Sequence, residues 1–164
     1  KTISIEPNDN GLEVNFQLVY ANKVIGTQSN KVNFEDSDLT NVYTSRTFCL
    51  FEDIEKIQKI GLAKGGSLEN AVVVKGDEIL NTEGLRNNKE FVNHKILDLA
   101  GDFLLSGYRI LGNVKCTQGG HSLSNLFLRD FFKDQSNFVM IEKEETIASK
   151  NLFKTTANKL AVNA

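Results

Sequence analysis

Apolar and polar residues alternate in two registers along this chain, and the switches between them divide it into strands and helices. Thr2–Glu6 and Leu12–Tyr20 alternate with period two and predict strands, joined by a turn through Pro7-Asn8-Asp9-Asn10-Gly11. Lys31–Phe34 predicts a third strand, followed by a short capped segment beginning at Asp36 or Ser37. Phe51–Ile60 has helical spacing and Gly61 ends it; Ala71–Val74 is an unbroken apolar run that predicts a strand. Lys89–Ser106 predicts a long helix stopped by Gly107, then come a strand over Arg109–Thr117 and a second helix over Ser122–Phe132. Beyond Asp134 the pattern weakens, with Phe138–Glu142 as a last candidate strand. Strands in antiparallel-looking groups with two main helices predict an α+β fold.

The long helix carries the most chemistry. At 100° per residue, His94, Asp98 and Asp102 fall within an arc of roughly 80°, one above the next. Val92, Ile96, Leu99, Ala100 and Phe103 fall on the opposite side and predict the buried stripe. An imidazole and a carboxylate one turn apart can reach one divalent cation, and zinc accepts nitrogen with oxygen. The spacing is equally that of a solvated helix face with an i,i+4 pair, and it leaves both readings open.

Charge and composition narrow the field only a little. Hydrophobic residues make up 40% of the 164, and the formal net charge of −2 offers no attraction to nucleic acid or an anionic membrane. No apolar run approaches the length of a membrane span, and no signal-peptide pattern opens the chain. Cys49 and Cys116, without metal-motif spacing, are expected to be reduced, buried thiols of a cytoplasmic protein. Lys1 leads straight into the first strand without an initiator methionine, as expected of a cut inside a longer polypeptide.

His121, the second of only two histidines, follows Gln118-Gly119-Gly120 at the hinge between a predicted strand and helix. Glycines there let the backbone turn sharply. The imidazole could serve as a general acid supported by a carboxylate, with Asp102 the candidate partner, or simply stand exposed near a helix start. The glycine-rich run Gly61-Leu62-Ala63-Lys64-Gly65-Gly66-Ser67 lacks Walker spacing, which argues against a nucleotide cradle. Between a helix and the Ala71–Val74 strand, it predicts a β-α-β excursion or a plain connecting loop.

Five further strings occur in order: Arg46-Thr47-Phe48; Asp53-Ile54-Glu55; Gly61 to Ser67; Asn81-Thr82-Glu83-Gly84-Leu85-Arg86; and Phe91-Val92-Asn93-His94-Lys95-Ile96-Leu97-Asp98 through Gly101-Asp102. With Gly120-His121, they resemble the C-terminal half of the zinc-dependent UDP-3-O-acyl-N-acetylglucosamine deacetylases of lipid A biosynthesis. The resemblance covers roughly Ile3 to Phe132. It implies a two-layer sandwich, a small, largely antiparallel sheet with two main helices, carrying a β-α-β insert at about residues 50–75. A second domain of similar topology, absent from this chain, would face it.

The resemblance also implies roles. His94 and Asp98 correspond to zinc ligands, with ferrous iron as an alternative metal. His121 corresponds to the general acid, Asp102 to its orienting carboxylate, Thr47 to a donor for the oxyanion, and Lys95 to a substrate-contacting lysine. Phe48 and the insert correspond to an apolar passage for the acyl chain, with Ile54, Ala63, Gly66, Ser67, Ala71 and Val73 on its walls. Such a passage suits an acyl chain because each buried CH₂ is worth about 0.8 kcal/mol. Where the family commonly reads Lys-Ser-Gly-His, this chain has Gln118-Gly119-Gly120-His121, which puts one contact to the substrate's anion in doubt. The family's third zinc ligand and glutamate base belong to its N-terminal half, so this chain alone is expected to be inactive. The alternative is a non-catalytic domain that binds the UDP-acyl-sugar or a partner.

Overall fold

The computed structural model describes residues 1–61 and 63–142; Leu62 and residues 143–164 lie outside the described residues. Two compact units follow one another, residues 1–131 and residues from 132 onward.

In the first unit, strands β1 (Thr2–Pro7), β2 (Leu12–Val19), β3 (Thr27–Asn33) and β7 (Gly112–Thr117) form one sheet in the order β1-β7-β2-β3. The turn after Pro7 joins β1 to β2 as expected, yet the two strands do not pair. β7 arrives from late in the chain and lies between them, antiparallel to β1 and parallel to β2. One face of this sheet is apolar through Val14, Phe16 and Leu18 of β2, Val32 of β3, and Val114 and Cys116 of β7. The register stacks them, pairing Val14 with both Val32 and Val114, and Phe16 with Cys116. β3 begins four residues before the predicted Lys31. Thr27–Asn30 lack an apolar pattern and are held by ladder bonds to the strongly patterned β2.

Helix α3 (Glu90–Leu104) packs on this sheet with the predicted stripe: Val92 and Ile96 are fully buried, and Leu99, Ala100 and Phe103 nearly so. Gly107 takes a left-handed φ of 78° where the chain leaves it. Helix α4 (His121–Lys133) stacks Phe127 on Phe103, ring centroids 5.8 Å apart.

The expected β-α-β excursion is present. Strand β4 (Thr47–Leu50) leads through a 3-10 turn (Phe51–Asp53) and helix α2 (Ile54–Lys59) to β5 (Ala71–Lys75), which pairs parallel to β4. Ala71–Val74 is buried on both faces, so it reads as a continuous apolar run. β6 (Glu78–Ile79) closes this second sheet in the order β4-β5-β6, and α1 (Thr40–Tyr43) is a single turn that starts beyond the predicted Asp36 or Ser37, its N-cap Leu39 making no side-chain cap bond. Asn81 pins β5, accepting from the Val73 amide at 2.9 Å and donating to the Leu68 and Ala71 carbonyls.

In the second unit, Asp134 caps a 3-10 turn (Gln135–Asn137) by accepting from Ser136 N at 2.9 Å, and Phe138 meets Phe132 edge-on. The strand expected over Phe138–Glu142 does not form, and Val139, Met140 and Ile141 are exposed. Its residues have β propensity, but no strand pairs with them among the described residues, and propensity alone does not hold a strand. Of the two cysteines, Cys116 is buried and its thiol is pushed up to about 11 by burial. Cys49 is only half-buried, correcting the expectation of two buried thiols, because the short β4 lies at the edge of its sheet; burial still raises its pKa.

Candidate active site

The outward face of α3, the start of β4 and the turn into α4 converge on an open cavity of about 570 Å³. Thr47, Phe48, His94, Lys95, Asp98 and His121 all line it. Asp98 is the hub. Its Oδ1 lies 3.3 Å from His94 Nε2, its Oδ2 accepts from Lys95 Nζ at 2.6 Å, and His121 Nε2 stands 3.9 Å from Oδ2. Asp102, one turn on, accepts from His121 Nδ1 at 2.8 and 3.0 Å. That bond fixes the ring and leaves Nε2 as the end facing Asp98.

His94 is held differently. Phe48 lies between it and the core, its ring 6.2 Å from the imidazole and 5.0 Å from Phe91, edge-on to both. Burial pushes the His94 pKa down. The nearby Lys95 charge and His121 add to this, while Asp98 and the Ser45 backbone oppose it. Nδ1 is buried without a well-formed hydrogen bond. The shift favours the neutral imidazole, the form in which histidine binds metals.

The donor pair fits a zinc ion. Two ligands about 2.0–2.2 Å from one tetrahedral zinc lie about 3.3–3.5 Å apart, and His94 Nε2 and Asp98 Oδ1 are separated by 3.3 Å. Lys95 Nζ occupies the other carboxylate oxygen of Asp98, at 2.6 Å. Among the described residues, no group of three or more His, Cys, Asp or Glu side chains is arranged to hold a metal.

The rim contains residues the sequence did not point to. Tyr20 meets Phe48 edge-on with centroids 5.7 Å apart, and Leu18 and Val19 continue the wall. Gln118 takes a left-handed φ of 55°, held there by its side-chain amide. Its Oε1 accepts from Val19 N at 2.7 Å and its Nε2 donates to Val19 O. The amide thus closes the cavity rim just ahead of the turn that carries His121. Of the residues assigned to an acyl passage, only Phe48 lines the cavity. Ile54 is half-buried on α2, Ala63, Gly66 and Ser67 are exposed, and Ala71 and Val73 are buried in β5.

Packing explains Gly119 but not Gly120, where a Cβ would meet nothing within 4 Å, and the left-handed turn expected of these glycines falls on Gln118. A Cβ on Gly119 would overlap Cys116 Sγ and press on the Phe16 ring, both buried in the core. Gly119→Ala is therefore expected to cost about 1–3 kcal/mol, read as a lower urea midpoint, and to displace the turn that carries His121.

Fold and constellation together define the class, an α+β domain presenting two imidazole–carboxylate pairs at one cavity. The chain belongs to the UDP-3-O-acyl N-acetylglycosamine deacetylase (LpxC) family, whose profile matches residues 1–133. It is 40% identical over 134 residues to the UDP-3-O-acyl-N-acetylglucosamine deacetylase of Campylobacter jejuni strain RM1221, covering 81% of this chain and 46% of that protein. The same enzyme of Aliarcobacter butzleri is 32% identical over 161 residues, covering 98% and 53%. That of a Psychrobacter species (strain PRwf-1) is 38% identical over 149 residues, covering 89% and 50%. The chain spans about half the length of these curated relatives.

Proposed function

We propose that this chain is the C-terminal half of a zinc-dependent enzyme that hydrolyses the N-acetyl group of UDP-3-O-acyl-N-acetylglucosamine, releasing acetate in lipid A biosynthesis. One observation carries the reading: an imidazole oriented by its own carboxylate, His121 on Asp102, stands beside a second imidazole–carboxylate pair with metal-ligand spacing.

His94 and Asp98 would hold the metal. A zinc ion bound there would supply Lewis-acid polarisation of the acetamide carbonyl and acidify water. Thr47, at the start of β4 and facing the same cavity, donates its hydroxyl to the carbonyl oxygen as negative charge develops there. His121, tethered through Nδ1, delivers a proton from Nε2 to the leaving sugar nitrogen. Lys95 neutralises Asp98 and presents its ammonium to the substrate. The third histidine ligand and the glutamate base would come from the N-terminal half that the family resemblance implies, so the isolated chain does not turn over.

The β4–β5 excursion would take the acyl chain. Phe48 stands where it meets the cavity, and Phe51, Ile60 and Leu68 leave apolar surface exposed on it. Of the assigned walls, Ile54, Ala63, Gly66 and Ser67 are more open to a ligand than Ala71 and Val73.

Metal content tests the ligand assignment. The full-length protein should bind one zinc ion per chain. His94→Ala and Asp98→Ala should each weaken that binding by more than the roughly 10–100-fold typical of losing an outer-shell partner. Wild-type zinc affinity in both variants would remove the helix α3 pair from the site.

A further inference from the structure

The residues that the proposed mechanism leaves unused include the most polar group in the core. Arg46 is 4% exposed and Glu90 is not exposed at all. Glu90 Oε1 accepts from the Arg46 backbone N–H at 3.0 Å and from Arg46 Nε at 2.9 Å, while Oε2 accepts from Arg46 Nη2 at 3.3 Å and from the Arg86 backbone N–H at 2.7 Å. The rest of the guanidinium is engaged as well. Nη1 donates to Glu83 and Nη2 to the Gly84 carbonyl at 2.7 Å. Glu83, Gly84 and Arg86, from one short segment, therefore enclose this ion pair.

Place in the chain gives the pair its meaning. Arg46 immediately precedes Thr47, and Glu90 lies one helical turn before His94. Thr47 opens an edge strand of the second sheet, whereas His94 rides on a helix packed on the first. The apolar contact between these elements, Phe48 on Phe91, is non-directional. The bond from the Arg46 amide to Glu90, by contrast, fixes the Ser45–Arg46 peptide, one residue ahead of Thr47, relative to the first turn of α3. Buried ion pairs are poor sources of net stability, because desolvation offsets their attraction. A pair so fully hydrogen-bonded therefore suits positioning better than stabilisation.

We infer that Arg46 and Glu90 are positioning residues: their buried pair sets the Thr47 hydroxyl against the His94 imidazole and so acts on the rate through Thr47. This rests on the deacetylase reading. Because a displacement of about 1 Å at a reacting group costs on the order of 10²-fold, Arg46→Lys, which keeps the charge but loses the fork, should lower kcat about 10- to 100-fold with KM little changed.

The test is a double-mutant cycle in the full-length deacetylase, with Thr47→Val, Arg46→Lys and the pair, assayed well below each variant's melting temperature. The double variant is expected to be no slower than Thr47→Val alone, because Arg46 has no hydroxyl left to position. Independent, multiplying losses would overturn the inference, as would an Arg46→Lys enzyme with unchanged kcat. Should Arg46→Lys not fold, Glu83→Gln weakens the same guanidinium from its exposed side, and its smaller kcat loss must likewise vanish in the Thr47→Val background. A wild-type rate for Thr47→Val itself would instead remove the oxyanion role from the proposed mechanism, and the inference with it.

Discussion

Replacing His121 by alanine in the full-length protein is expected to lower kcat for acetate release by about 10²–10⁴-fold while leaving bound zinc in place. The expectation follows from the division of labour on the cavity face. His121 reaches the hub through Nε2 at 3.9 Å from Asp98, whereas His94 stands at 3.3 Å with a half-buried ring whose pKa is pushed down by burial. On the proposed reading, loss of the first removes a proton donor and loss of the second removes a ligand. Kinetics and metal analysis on the same two preparations separate the roles. An active, zinc-free His94→Ala or an inactive, zinc-free His121→Ala would reverse the assignment. Asp102→Asn should fall between wild type and His121→Ala, because the imidazole survives but loses its anionic support.

Glu90→Gln is expected to destabilise the fold by about 3–5 kcal/mol at neutral pH, since it leaves the buried Arg46 guanidinium without its counter-charge. Urea unfolding at pH 7 measures this directly. The acid limb supplies a second readout. Burial alone would raise the Glu90 pKa, but hydrogen bonds from Arg46 and the Arg86 backbone more than reverse this, and the folded-state value lies below the ordinary 4.5. A depressed carboxyl pKa means the unfolded chain binds the proton more readily, so this contribution is full above pH 4.5 and is lost as pH falls through the folded value. Wild-type stability should therefore drop below about pH 4.5, and the Glu90→Gln profile should be flatter there. Equal acid slopes in the two proteins would place the acid sensitivity elsewhere.

How much of this was legible in the sequence depended on distance along the chain. The α3 face was readable because a helix brings His94, Asp98 and Asp102 together by local geometry alone, and its buried stripe follows the same period. Gly107 and Gly61 marked helix ends because the left-handed turns there favour residues without a Cβ. The joining of His121 to Asp102 across 19 residues could be named as a candidate but not established, since it needs β7 to return the chain to the end of α3. The Arg46–Glu90 pair spans 44 residues and two sheets, and nothing local announces it. The same holds for Gln118, whose amide seeks the backbone of Val19 at a separation of 99 residues. The strand expected at Phe138–Glu142 failed for a related reason: propensity was present, but a partner strand, which only tertiary structure supplies, was not found among the described residues.

The most direct test of the account is acetate release from UDP-3-O-acyl-N-acetylglucosamine by the full-length protein, measured before chelation, after it, and after zinc is restored. The account predicts activity that disappears with the chelator and returns with zinc. A folded, zinc-loaded protein that binds the UDP-acyl-sugar and releases no acetate would contradict it and leave a binding domain in its place.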